Sequence, residues 1–321
     1  MAKHHHQPQP QTKVDVDKIF ENAADKLSPT SIRNYKNNIR KLEALTKHDI
    51  NWIIDHPRKT VKAIKAKYSE NQTRKAFISA IRTLFKHDEQ LLLNKTNEFV
   101  KWESYAKEAN EIVQKWYTQG EATPRQKENF VDWPTVQQTF STLTPNTPEH
   151  LLLAMYTLEE PKRQDYGALK ILKVMSPTEE AQQKGNYILL HPQNIVLVLN
   201  EYKTAKSYKQ FRKTLSPELT AIIKNSLQSN PRDYLFIDKS GKPFKDKAFA
   251  NYSNRILLKI FKKNVTVSLL RHSYIQHMYN QGTTHNERYK MSKSMGHSIA
   301  MQSQYAFEVG DKECKVTCSE K

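Results

Sequence analysis

Hydrophobic positions fall into helical stripes along most of the chain. Ile32, Tyr35, Ile39 and Leu42 recur at helical spacing behind Ser28-Pro29, a serine suited to capping and a proline suited to the first helical position. A second stripe runs through Ala76, Phe77, Ala80, Ile81, Leu84 and Phe85. A third, over about residues 97–117, carries Trp102, Tyr105, Ala109, Ile112 and Trp116. These predict a compact helical domain over residues 15–118, with its aromatics packed as core rather than displayed for base stacking. A polar break, Gln119-Gly120-Glu121-Ala122-Thr123-Pro124, predicts a linker over 119–130. Beyond it, residues 131–140 and 148–158 read as helices, the second strongly apolar. Short β-branched runs at 186–190, 195–199 and 211–215 predict a small antiparallel sheet with lysines at a hairpin tip. Ser216-Pro217 opens another helix through Leu219, Ile222, Ile223 and Leu227. Phe249, Tyr252, Ile256, Ile260 and Phe261 mark the next, and 267–279 the one after. The fold class is mainly α (α+β), with the second domain spanning 131–307. Polar residues 1–14 are expected to be disordered, and 308–321 to form a tail.

Charge changes the picture. The 321 residues carry 51 Lys+Arg against 33 Asp+Glu, a formal charge of +18. It is spread along the chain, net +8 in residues 1–120 and +10 in residues 121–321. A polyanion is the expected partner of both halves, nucleic acid first among them. On the helical domain the candidate DNA-binding cations are Arg33, Lys36, Arg40, Arg74, Lys75 and Arg82; a solvated basic surface would look the same. The two cysteines, Cys314 and Cys318, make no disulfide framework and are read as a tail feature. His4, His5 and His6 are read as a solvated segment rather than metal ligands. No apolar run approaches a membrane span, so a protein that is intracellular, not secreted and not membrane-bound is expected.

Candidate chemistry lies between Ser268 and Tyr305. Transfer of a phosphodiester without a metal requires a nucleophile, cations around the phosphoryl oxygens and an acid for the leaving oxygen. Arginine suits the clamp because its planar fork binds two phosphate oxygens and stays charged. Leu270-Arg271-His272-Ser273-Tyr274, Met295-Gly296-His297-Ser298 and Tyr305 bring such groups together, with Arg163 and Lys203 upstream. No Cys/His or carboxylate pattern offers a metal site, and no phosphate-binding Gly-rich loop offers ATP. No cofactor and no metal is expected.

These motifs resemble the tyrosine recombinases, the phage-type integrases, specifically over about 130–307 and more loosely over 15–118. Arg271 and its neighbours resemble the second arginine box of that family, and Met295-Gly296-His297 its Leu-Gly-His box. Arg163 matches the first arginine, Lys203 the mobile lysine with Lys206 and Lys209 close by, and Tyr305 the nucleophile. Pro161-Lys162-Arg163-Gln164-Asp165-Tyr166 is similar in style to integrases of eukaryotic DNA viruses, virophages and crypton transposons. The resemblance implies a core-binding domain and a catalytic domain clamped on double-stranded DNA, with a homotetramer on two DNA sites. It also implies site-specific strand exchange through a 3′-phosphotyrosyl link, integrating or excising a mobile or viral genome. The place of work would be at DNA, in a host nucleus or a cytoplasmic viral factory. The departure is Ser268, where the family places a histidine. Serine donates a hydrogen bond but accepts a proton poorly at neutral pH. His272 follows Arg271 directly and is expected about a quarter-turn away from it on the helix. The rival readings are a type IB topoisomerase-like relaxing activity and a DNA-binding protein with a decayed site.

Overall fold

The computed structural model describes residues 13–120, 122–245, 247–303 and 305. Residues 1–12 of the expected disordered tail, with His4–His6, and the C-terminal tail with Cys314 and Cys318 fall outside them, whereas the Val14 amide donates to Asn51 Oδ1 at 3.0 Å. The chain divides into two compact units, Met1–Gln119 and Gly120–Lys321.

In the first unit α1 (Val16–Asn22), α2 (Pro29–Thr46), α3 (Ile50–Asp55), α4 (Pro57–Lys67), α5 (Asn71–His87), α6 (Glu89–Asn94) and α7 (Thr96–Gln119) follow one another. Ser28 caps α2 as its position suggests, its hydroxyl accepting from the Ser31 amide at 3.1 Å. Ile39 and Leu42 are buried, with Ile32 and Tyr35 packed at the edge of the same core. On α5 the buried face is Phe77, Ile78, Ala80, Ile81, Leu84 and Phe85, whereas Ala76 is exposed. The stripe of α7 is Trp102, Ala106, Ala109 and Val113, a cleaner 3.6-residue repeat than the expected one, and it leaves Ile112 exposed. The fully buried Trp102 indole donates to the Ile54 carbonyl at 3.2 Å, so α7 is fixed against α3 by a bond as well as by burial.

The second unit contains α8 (Pro124–Asn129), α9 (Trp133–Ser141), α10 (Pro148–Thr157), β1 (Lys170–Lys173), α11 (Pro177–Ala181), β2 (Tyr187–Leu190), β3 (Ile195–Leu199), α12 (Ala205–Tyr208), β4 (Phe211–Thr214), α13 (Pro217–Ser229), α14 (Ala248–Phe261), α15 (Val267–Asn280), α16 (His285–Ser294) and α17 (Ile299–Ser303). Helix α8 lies in the segment expected to be a linker, opened by a Thr123–Gln126 capping box.

The sheet is mixed, not purely antiparallel as the sequence suggested. β2, β3 and β4 pair antiparallel in order, but β1 adds to the free edge of β2 in parallel. The cause is the connection: β1 returns to β2 through α11, a crossover that brings the chain back in the same direction. The tip between β3 and β4 holds α12. Ile195, Leu197 and Leu199 of β3 face the main core, while Val196 and Val198 face a smaller cluster with Tyr187 and Leu189. A strand buried on both faces anchors everything leading to Lys203 and β4. Among the described residues no helix is long and apolar enough to cross a membrane.

Candidate functional site

The site is built on the end of α16. That helix stops in a Schellman arrangement, with the Gly296 amide donating to Lys293 O at 3.1 Å and the His297 amide to Ser292 O at 3.0 Å. Such an end needs a left-handed residue, and Gly296 has φ +69°. The Gly-His pair is therefore first a helix stop that turns His297 back inward, where it is 2% exposed.

The stop leaves three successive carbonyls without helical partners, and a cation from elsewhere takes each. Lys162 donates to Ser294 O, and Arg271 Nη2 to Met295 O at 3.2 Å. Gly296 O accepts from Arg163 Nη1 at 2.7 Å and from Thr204 Oγ1 at 2.8 Å. Arg271 is 1% exposed on α15, a helix opened by the Thr266 cap. Its guanidinium also donates to Pro161 O and, at 2.8 Å, reaches His297 Nδ1.

That last contact fixes the proton on His297. A guanidinium only donates, so Nδ1 is the acceptor and the neutral ring carries its hydrogen on Nε2. Burial, then the charges of Arg271, Arg163 and Lys162, hold its pKa down at about 3. His297 Nε2 and Arg271 Nε are both buried N–H donors with no acceptor. Positive charge is crowded there, from Arg271, Arg163 and Lys162. The Asp165 carboxyl is pushed up by burial, against the pull of Arg163, Arg271 and Lys162. Two idle donors beside three cations form a receptor for an anion.

Tyr305 closes the arrangement. Its ring stacks on His297 with centroids 5.3 Å apart and lies 5.3 Å from the Arg271 guanidinium carbon. Burial lowers the Arg271 pKa, and the nearby Tyr305 phenol opposes that shift. His272, next to Arg271 on α15, lies against Tyr305, with ring centroids 4.6 Å apart. Its Nδ1 donates to the Tyr305 carbonyl at 2.7 Å, and burial drives its pKa down to about 4.

Arg163, Arg271, His297 and Tyr305 are thus brought together. Lys203 is exposed on the β3–β4 connection, between Thr204, bonded to Gly296 O, and Tyr202, which also lies beside Gly296. Ser268 is exposed on the first turn of α15, three residues before Arg271. Among the described residues no group of three or more His, Cys, Asp or Glu is arranged to hold a metal. Sequence reasoning set His272 aside and did not count Lys162 or Thr204 as parts of this site. Pro161-Lys162-Arg163 carried the only hint, two basic residues side by side.

The six cations of the first unit divide. Arg33 and Arg40 are exposed along a groove on α2 that Lys36 and Asn37 also line, although Lys36 pairs with Asp17 at 2.7 Å. Arg74 is spent on structure, donating to Tyr68 O at 2.6 Å and Lys65 O at 3.2 Å. Arg82 pairs with Glu103, and Lys75 is half-buried.

With this geometry in view, the known structures decide the fold. A lambda integrase dimer bound to a COC′ core site superposes with a TM-score of 0.57, 12% identity, and coverage of 92% of this chain and 95% of that one. The fold is that of the tyrosine recombinases. The Tn1549 transposon integrase in complex with transposon right-end DNA superposes at 0.53, with 11% identity over 92% of this chain and 96% of that one. No protein-family profile and no curated protein sequence matches the chain. At such identities the likeness lies in the tyrosine recombinase fold, and the chemistry has to be argued from the side chains.

Proposed function

We propose that this protein is a site-specific DNA recombinase that cuts and rejoins double-stranded DNA through a tyrosyl phosphodiester. The observation that carries the reading is the gathering of Arg163, Arg271, His297 and Tyr305 at the end of α16, with Arg271 Nε and His297 Nε2 buried and lacking acceptors. A phosphodiester supplies the missing acceptors and a negative charge for the cations. The Tyr305 oxygen attacks phosphorus and the bond to the 5′-oxygen breaks, leaving a 3′-phosphotyrosyl link. Arg163, Arg271 and the His297 Nε2–H hold the non-bridging oxygens as charge builds on them. Lys203 gives its proton to the departing 5′-oxygen, reaching in from its exposed connection. The phenol proton passes to water, because the position one turn before Arg271 holds an exposed serine. Bond energy is kept in the link, so neither ATP nor a cofactor is consumed.

The helical unit is the core-binding domain in this reading, with Arg33 and Arg40 as its phosphate contacts and Lys36 joining them when it leaves Asp17. The second unit is the catalytic domain. Four copies on two DNA sites exchange strands and so integrate or excise a mobile or viral genome. The test is a nicked suicide duplex bearing the attachment site, with a denaturant-resistant protein–DNA adduct as the readout. Wild type forms it and Tyr305→Phe does not; an equal yield from Tyr305→Phe removes Tyr305 as nucleophile. Exposed Ser268 favours one second reading, a DNA-binding protein with a decayed site, which predicts salt-sensitive DNA binding and no adduct on any substrate.

A further inference from the structure

Lys162 is 4% exposed, a burial that a lysine rarely accepts without a purpose. Its ammonium donates to the carbonyl of Ser294, the last residue of α16, and lies 3.5 Å from the Ser294 hydroxyl. Beneath it is the Phe211 ring of β4, with the centroid 3.3 Å away. The Ser294 hydroxyl in turn donates to Glu160 at 3.0 Å, and Glu160 is bridged by Lys213 of β4. The chain before Arg163, the strand β4 and the end of α16 are thereby joined at one ammonium, three residues before His297.

We propose that Lys162 is a positioning residue for the phosphoryl-transfer site, gripping the end of α16 through its charge and so holding His297 where its Nε2–H meets the phosphate. The inference rests on the reading of Tyr305 as nucleophile. It also assigns a regulator, because the grip depends on the proton of the amine. A charged donor binds a helix-terminal carbonyl about twice as strongly as a neutral one, and only the charged form gains from the aromatic face. The groups facing it are Glu160 and Asp165, which favour the ammonium, and Lys213 and Arg271, which oppose it. Burial outweighs them all and brings its pKa down to about 7. The ammonium is therefore present below about pH 7 and is lost as pH rises through that value.

The experiment compares wild type, Lys162→Met and Glu160→Gln on the suicide duplex from pH 6 to pH 8.5. Amide exchange of residues 294–298 is measured on the same proteins without DNA. At pH 6 Lys162→Met forms adduct about tenfold more slowly at saturating DNA. The ratio of wild-type to Lys162→Met rate falls toward one by pH 8.5. Exchange at 294–298 quickens in Lys162→Met while the core of α15 stays protected. Glu160→Gln, which keeps the lysine, moves the wild-type fall to lower pH because a group favouring the ammonium is gone. A rate ratio that does not change with pH, or equal exchange at 294–298 in wild type and Lys162→Met, overturns the proposal. If wild type forms no adduct but Lys162→Met loosens residues 294–298, the nucleophile reading fails and the grip of Lys162 stands. If Lys162→Met does not fold, the direction of the Glu160→Gln shift decides, and a shift to higher pH or none refutes it.

Discussion

Acid should destabilise the second unit well before it protonates His297 in the folded site. In the native state Nδ1 is occupied by Arg271 and three cations crowd the ring, so the pKa stands at about 3. An unfolded histidine titrates near pH 6.5. Between those values the unfolded chain binds a proton that the folded chain refuses, and stability is lost as pH falls. From pH 7.5 to pH 5 the unfolded imidazole gains about 2 kcal/mol from protonation, a figure that holds for any native pKa well below 5. His272, held down at about 4, behaves alike, and the pair removes about 4 kcal/mol over that range. His297→Gln, whose amide oxygen still accepts from Arg271, should remove about half of this sensitivity. Amide exchange in α15, corrected for intrinsic rates, reports the opening free energy at each pH, and histidine NMR follows the ring itself. An imidazole of His297 titrating near pH 6.5 in the folded protein, or a His297→Gln variant as acid-labile as wild type, refutes the tautomer and the charge environment together.

Gly296→Ala should cost about 1 kcal/mol of stability, since φ +69° strains a residue with a Cβ while the space around it is adequate, with the nearest atom, Thr204 Oγ1, at 3.5 Å. Its adduct formation should slow with the displaced His297, and an unchanged melting temperature and rate would contradict the helix-stop account. Ser268→His should leave DNA affinity unchanged and speed cleavage, because the position is exposed and one turn before Arg271; an unchanged rate in the suicide assay would show that no base is missing there. Arg33→Ala and Arg40→Ala should each weaken DNA binding and reduce the salt slope by about one, whereas Arg74→Ala should lower the melting temperature of the helical unit. A filter-binding salt titration and a thermal melt separate the two classes.

What the sequence disclosed depends on how local each signal was. The Ser28 cap and the α5 stripe are written within a few residues, and each is found where its pattern lies. The difference between Arg33 and Arg74 was not written anywhere nearby. Both sit on basic helix faces, and only the folded chain brings the Tyr68 and Lys65 carbonyls under Arg74. Arg82 likewise meets Glu103 across two helices. β1, four residues reading Lys-Ile-Leu-Lys, carries too little pattern to be separated from a loop, and its partner β2 begins fourteen residues after it ends. His272 was placed correctly on its helix, but Tyr305 returns across both it and Arg271, and helical periodicity says nothing of a segment that arrives later. Burial of Lys162 beside half-buried Arg163 was equally beyond reach, because the two are neighbours in a non-helical stretch whose facing is set by α16.

The three carbonyls at the end of α16 have a consequence for when this site is complete. Arg271 lies only 24 residues from its carbonyl, but the other donors are separated from theirs by 132 residues for Lys162, 133 for Arg163 and 92 for Thr204. Contacts that long close late in folding, after their loops have been brought together. A nascent chain emerging with α10 and the sheet already formed still lacks the turn those donors wait for, and their charges have no shared target. The site is thus assembled only on completion: a chain truncated before residue 294 has the early elements but lacks the turn on which Lys162, Arg163 and Arg271 meet.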